Sequence, residues 1–346
     1  AIAQSGMRLP DPFERLNRSE KKLLQNQANS MFSVTEPAVK ASSKSTVSIY
    51  SLGKRIAFGT AVRTKKNQPA ILTKWSEVSD IRAPLSLATS NGKFYPAKVT
   101  GVYPEHDLAL LSTQAPLTPI DLSDAANPEL GNFLVLARPD GKVEGIGVVS
   151  VLARSLREKD KAYLGVMMDF SKAGKDGVPL ERVMPDSGAM KAGLQRGDVI
   201  FSVDQKPVTG AMEMRNILQR LVPGSEIVIQ FRRTDQEKTT TVKLGSRADN
   251  ADIRRIPAAR MERMQRMGTA PSRVRSDFPN VIQSDMAIER NDMGAPVLDL
   301  DGNLVGITIA RGSRIKTFII PADVLVNTLA FDPTPVQQAL SKRENT

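Results

Sequence analysis

The chain has 346 residues, 40% hydrophobic and 25% charged, with a formal net charge of +11; this length suits two or three domains and excludes wholesale disorder. No run of apolar residues is long enough to cross a membrane as a helix. With no cysteine and one histidine, disulfides, thiolate chemistry and the common metal sites are excluded, so neither cofactor nor metal is expected. Aromatics are 5% of the chain and the bases are dispersed, so nucleic acid is not an expected partner.

Residues 1–45 form a polar segment in which Asp11-Pro12-Phe13-Glu14 reads as a helix start running towards Asn29. Ala1-Ile2-Ala3-Gln4 suits a chain whose leader has been removed, which implies export. From Thr46 short apolar runs alternate with turn residues: Thr46–Tyr50, Ala57–Val62, Ala70–Thr73, Phe94–Val102 and Leu108–Leu111 within 46–112, then Phe133–Ala137 and Gly147–Leu152 within 113–160. Asn91-Gly92 and Asp140-Gly141 mark hairpins, and the whole pattern argues an antiparallel barrel or sandwich. Residues 161–246 change character, with strands at Tyr163–Met168, Gly177–Val183, Val199–Val203, Glu226–Arg232 and Thr239–Leu244. A small-residue helix, Ala189–Ala192, ends at Gly193, and an amphipathic helix spans about Ala211–Leu221.

Residues 247–276 form a linker with seven arginines between Arg254 and Arg275, Met261, Met264 and Met267 interleaved, and one acid, Glu262. It reads as a solvated connection or, alternatively, as a contact for anionic groups. The β pattern returns over 277–330, with Asp301-Gly302 as a tight turn that also accounts for Asp299 without a metal, and 331–346 is a tail.

The outer segments resemble the trypsin-like domain of the HtrA family of periplasmic serine proteases. The resemblance rests on Phe58–Val62, Ile71–Thr73, Ala97–Gly101, Glu105–Leu111, Gly147–Leu152, Val281–Ile288 and Met293–Ile307, in that order. The central segment resembles a bacterial PDZ domain, through Tyr163-Leu164-Gly165-Val166 and Pro185–Ile200. The implied fold is mostly β: a trypsin-like double barrel, its first barrel at 46–112, with a PDZ domain inserted into the second. A periplasmic or secreted location follows from the resemblance, as does a trimer through N-terminal aromatics, for which Phe13 and Phe32 are the candidates.

Compared residue by residue, Ser76 stands where the family has its general-base histidine, Met293 replaces the nucleophilic serine, and Asn291 replaces a glycine of the oxyanion hole. Of the triad only Asp107 remains. A thioether carries no proton and forms no hydrolysable acyl intermediate, and a carboxylate alone only orients a base. Lys74 and Ser76 would share a face if extended, which raises a Ser–Lys dyad, but Lys74 reads as an ordinary solvated loop residue. His106 should face away from Asp107 if the two are extended neighbours.

Nothing needed for peptide binding is lost in the same way. By resemblance Tyr163, Leu164, Gly165 and Val166 form the carboxylate-binding loop, and Met214, Ile217 and Leu218 line the facing helix. The chain therefore reads as a proteolytically inactive HtrA-like protein that binds peptides or protein C-termini as scaffold, adaptor or regulator. A serine endopeptidase with a rearranged site and an anion-binding assembly protein remain alternatives.

Overall fold

A computed structural model describes residues 30–344, apart from 124, 175, 219–220, 248–269 and 314. The expected Asp11–Asn29 helix, Phe13, and the linker arginines before Arg273 lie outside the described residues. The chain divides into two compact units: residues up to Ala153, a piece ending at Arg275 and everything from Ile282 form one, and the intervening segments from Arg154 and from Ser276 form the other.

In the first unit, β1 (Thr46–Ser51), β2 (Lys54–Arg63), β3 (Pro69–Lys74), β4 (Leu85–Ala88), β5 (Phe94–Tyr103) and β6 (Leu108–Thr113) close an antiparallel barrel in the order β1-β2-β3-β6-β5-β4. Its interior includes Val47, Ile49, Ala61, Ile71, Leu87 and Leu111. The Asn91-Gly92 hairpin joins β4 to β5, with Gly92 at φ +74° and its amide bonded to the Thr89 carbonyl. The second barrel begins with β7 (Phe133–Ala137) and β8 (Val143–Arg154), joined through Asp140-Gly141.

The chain then leaves to build the other unit. There β9 (Ala162–Tyr163) and β10 (Val166–Met168) are separated by Gly165 at φ +86°, a left-handed conformation open to glycine. They are followed by β11 (Val178–Val183), β12 (Val199–Val203), β13 (Lys206–Pro207), β14 (Glu226–Arg233), β15 (Gln236–Lys243) and β16 (Gly245–Ser246). The main sheet runs β10-β11-β12-β14-β15, which leaves β10 at its edge. Helices Gly188–Lys191 and Ala211–Leu218 accompany it, and a core of Leu164, Val178, Ile200, Ile227, Phe231 and their neighbours holds the unit together. Ser187 caps the shorter helix by accepting the Met190 amide at 3.2 Å.

Finally β17 (Val281–Ser284), β18 (Pro296–Leu298), β19 (Leu304–Ser313) and β20 (Lys316–Pro321) return and complete the second barrel, β17-β20-β19-β18-β7-β8. Barrel against sandwich, left open by the strand spacing, is thus decided for two closed barrels, the second split in sequence by the insertion. Residues 30–40 are helical, and Phe32 packs on Ala38, Val39, Val135 and Leu298. That aromatic is engaged within its own chain.

Candidate functional site

The turn Pro104–His106 ends in Asp107 at φ +53°, a left-handed conformation that aspartate tolerates better than most residues. The segment is therefore a turn and not the extended stretch on which the alternation argument for His106 depended. Asp107 is buried and collects donors from the end of β3 and the helical turn Trp75–Val78. Its carboxylate accepts the Ser76 amide (2.9 Å) and hydroxyl (2.7 Å) and pairs with the Lys74 ammonium at 2.6 Å. Its main-chain carbonyl accepts the Trp75 amide at 2.7 Å.

Lys74 overturns the expectation of a solvated side chain: it is 0% exposed. Its Nζ also donates to the Val274 carbonyl at 2.9 Å. Burial pulls its pKa below the ordinary 10.5, against the opposing pull of Asp107 and then Glu77. Lys74 and Ser76 do come together, but through the same carboxylate oxygen, with both acting as donors to it. A buried ion pair whose acceptor is filled by three donors is a positioning device; the oxygen that would orient an imidazole is occupied. The sequence singles out Lys74 for a dyad with Ser76 but carries no local signal of its burial: Ala70 to Lys74 are buried on both faces of β3, and Lys74 ends that strand.

Met293 lies in a second environment. It is 0% exposed and packs in the core of the second barrel with Phe58, Leu134, Ile282 and Val297. Its carbonyl accepts the Phe58 amide at 2.9 Å. The following Gly294, at φ +91°, fits only without a side chain, since a Cβ would stand 2.2 Å from the Phe58 carbonyl oxygen. Asn291 belongs to the turn Arg290–Asp292, closed by reciprocal bonds between Glu289 and Asp292. Arg55 clamps it by donating to the Asn291 carbonyl at 3.0 Å and pairing with Asp292 at 2.8 Å. Beside this turn lies an open recess of about 520 Å³ lined by residues including Ile56, Glu77, Arg273, Arg290 and Asn291. Ser76, Asp107 and Met293 do not line it. Arg290 meets Glu77 through its Nε at 2.7 and 2.9 Å.

Two arginines of the linker also differ from a free anionic contact. Arg273 pairs with Asp80 and donates to the Ser76 carbonyl at 2.6 Å, and Arg275 donates to the Ser272 carbonyl at 3.1 Å.

In the other unit, the loop proposed for a terminal carboxylate is held from behind. The Leu164 carbonyl accepts the Ala189 amide at 3.1 Å and the Gly165 carbonyl the Met184 amide at 2.8 Å, while Tyr163 is tied to Gly245. A side chain at Gly165 would meet Ser187 Cβ at 2.0 Å. Leu164 and Met214 sit in the core, at 2% and 3% exposure; Val166, Ile217 and Leu218 are half-buried against it. Asp198, 1% exposed, receives Arg233 in a two-point contact at 2.7 and 2.8 Å, which braces β12 against the end of β14.

A trypsin-like fold carrying a PDZ-like unit is the class these features define. Comparison agrees: a trypsin-like peptidase domain model matches residues 59–178 and a PDZ domain model residues 155–244. A probable periplasmic serine endoprotease DegP-like of Pseudomonas fulva is 30% identical over 176 residues, 49% of this chain and 34% of that protein. The chain thus aligns with about a third of that relative's length. The periplasmic serine endoprotease DegP of Salmonella typhimurium is 23% identical over 75% of each chain. The serine endoprotease DegS of Escherichia coli K12 is 37% identical over 68 residues, 20% of this chain and 19% of that one. Among solved structures, the protease domain of MamO from Magnetospirillum magneticum covers 83% of this chain and 96% of its own at 16% identity, with a TM-score of 0.39. The chain thus carries a trypsin-like peptidase domain and a PDZ domain, and in that combination it resembles the DegP- and DegS-type serine endoproteases. The peptidase match stops before Met293, where the insertion has displaced the rest of the second barrel in sequence.

Proposed function

We propose that this protein binds extended peptides or protein C-termini through its PDZ unit and does not hydrolyse them, acting as a scaffold, adaptor or regulator. The observation that carries the binding half is β10 at the margin of its sheet, directly after the Gly165 loop. A strand with an open edge adds a peptide main chain, and the loop before it receives the terminal carboxylate. Val166, Ile217 and Leu218 supply apolar surface for the last side chain, over a floor of Leu164 and Met214.

The silent half follows from the double barrel. A serine-type reaction needs a nucleophile that loses its proton to a base. Met293 has no such proton and lies in a core, and Ser76 gives its own to Asp107. Lys74, the remaining base candidate, donates to the same Asp107 oxygen as the Ser76 hydroxyl and does not accept that hydroxyl's proton. Relatives named as periplasmic endoproteases support a periplasmic location.

The test is a panel of peptides with apolar last residues, each as free acid and as C-terminal amide. Binding is followed by anisotropy and fragments by mass spectrometry. Free acids should bind, amides should bind at least tenfold more weakly, and all peptides should remain intact. Equal indifference to both forms would remove the PDZ reading, and fragments lost in Ser76→Ala would restore the endopeptidase alternative.

A further inference from the structure

The chain's own residues 272–274 bond to Lys74, which pairs with Asp107, to the Ser76 carbonyl and to the end of β19. Ser272 is 0% exposed and joins the end of β19: its amide donates to the Arg311 carbonyl at 2.9 Å, and its hydroxyl accepts the Arg311 amide at 3.0 Å. Arg311 is itself buried and anchored on the Ile288 carbonyl. One residue on, Arg273 reaches back to the Ser76 carbonyl and the Asp80 carboxylate. The next, Val274, gives its carbonyl to the buried Lys74 ammonium. Three successive residues are thus read in three ways: main-chain pairing, an arginine in an acceptor pair, and a carbonyl on a cation.

We infer that the degenerate centre has become a binding site for an extended, arginine-bearing peptide segment, occupied in this chain by its own residues 272–274. The recognition chemistry is complete on the barrel side. Arg311 presents main-chain donor and acceptor, the Ser76 carbonyl and Asp80 take a guanidinium with the geometry that arginine's fork supplies, and Lys74 takes a peptide carbonyl. Lys74 also explains its own burial, because an ammonium out of water needs acceptors on several sides and the strap provides one of them. The segment lies between the PDZ domain and β17 in sequence, so it is tethered at both ends and presented at roughly millimolar effective concentration. A second peptide in solution meets an occupied cleft. The inference is independent of the PDZ reading, since none of its contacts belongs to that unit.

The experiment uses the full chain and Arg273→Glu, which turns the guanidinium contact into repulsion at Asp80. Arg273 is exposed enough for the substitution to leave the barrels folded, as checked by circular dichroism, with Arg273→Gln as a milder variant. Amide exchange at Ser272 should be slow in the native chain and at least tenfold faster in the variant. A labelled peptide of residues 270–276, Ala-Pro-Ser-Arg-Val-Arg-Ser, should bind the variant and not the native chain. Reversing the pair, Arg273→Glu with Asp80→Arg, should restore slow exchange and exclude the peptide again. Rapid Ser272 exchange in the native chain would overturn the inference, as would unchanged exchange in the variant. A released segment whose cleft takes up no peptide would overturn it too.

Discussion

At the residue scale the telling position is Lys74. An isolated ammonium in a protein interior is costly, and a buried pair becomes strongly destabilising when one partner is removed. Lys74→Met leaves Asp107 with the two Ser76 donors and no countercharge, so it should lower the unfolding free energy by about 3–5 kcal/mol, read from urea denaturation at neutral pH. The substitution also changes the pH profile. Burial holds the folded-state pKa of Lys74 below 10.5, its value in an unfolded chain, so between those two values the folded state binds fewer protons than the unfolded one. Stability contributed by this group therefore rises with pH through the window beneath 10.5, and the rise should be missing from Lys74→Met. None of this was legible from Lys74-Trp75-Ser76-Glu77. The sequence shows a lysine next to an acid at a strand's end, the usual composition of a wet loop. What encloses it comes from Asp107, 33 residues away, and Val274, 200 residues away. By contrast Met293, Ser76 and Asp107 can be set against the triad of the resembling family from the sequence alone, because a local motif carries each of them. Restoring the family residues, Ser76→His with Met293→Ser, should yield no casein hydrolysis above background. The new serine would sit in a core pocket, and the oxygen of Asp107 that an imidazole needs is already held by Lys74.

At the scale of elements, hairpins and strands were read well because their signals are local. Asn91-Gly92, Asp140-Gly141 and Asp301-Gly302 all form tight turns, with φ of +74°, +79° and +88° at the glycines. The sequence predicts one strand over Tyr163–Met168; the structure has two, divided at Gly165. A continuous apolar run on both sides of that glycine hides a break that only its left-handed backbone and the closeness of Ser187 reveal. β4 was missed as a strand: Leu85–Ala88 is short, and its pairing with β1 lies outside any local pattern. The break at Gly165 gives a prediction for the peptide site. Gly165→Ala places a Cβ against Ser187 and forces an alanine to a positive φ, which alone costs about 1–2 kcal/mol. The PDZ unit should melt at a lower temperature, and free-acid peptides should lose at least tenfold in affinity by anisotropy. Retained affinity in a folded Gly165→Ala variant would move the carboxylate site away from this loop.

For the whole molecule, the question is how a second barrel survives being opened between β8 and β17. The ends of the insertion answer it, because they lie side by side: the Leu156 amide donates to the Phe278 carbonyl at 2.8 Å, and Arg157 Nε to the Asp277 carbonyl at 3.2 Å. A domain whose termini meet can enter another without stretching it. Among the described residues its core draws on Ala162 to Leu244, so residues 155–247 alone should fold, give one cooperative thermal transition, and bind the same free-acid peptides as the full chain. The complementary excision is more informative. Replacing residues 158–276 by a Gly-Ser turn spans a gap already closed by hydrogen bonds, so the double barrel should still unfold cooperatively in urea. It would, however, lack the strap. With Val274 gone, Lys74 loses one acceptor, and Arg311 loses the Ser272 amide and hydroxyl. The trimmed chain should therefore be less stable than the full one, and the peptide Ala-Pro-Ser-Arg-Val-Arg-Ser supplied in trans should raise its urea midpoint by mass action. A midpoint unmoved by the peptide would show that the strap serves only to continue the chain, and not to fill a site.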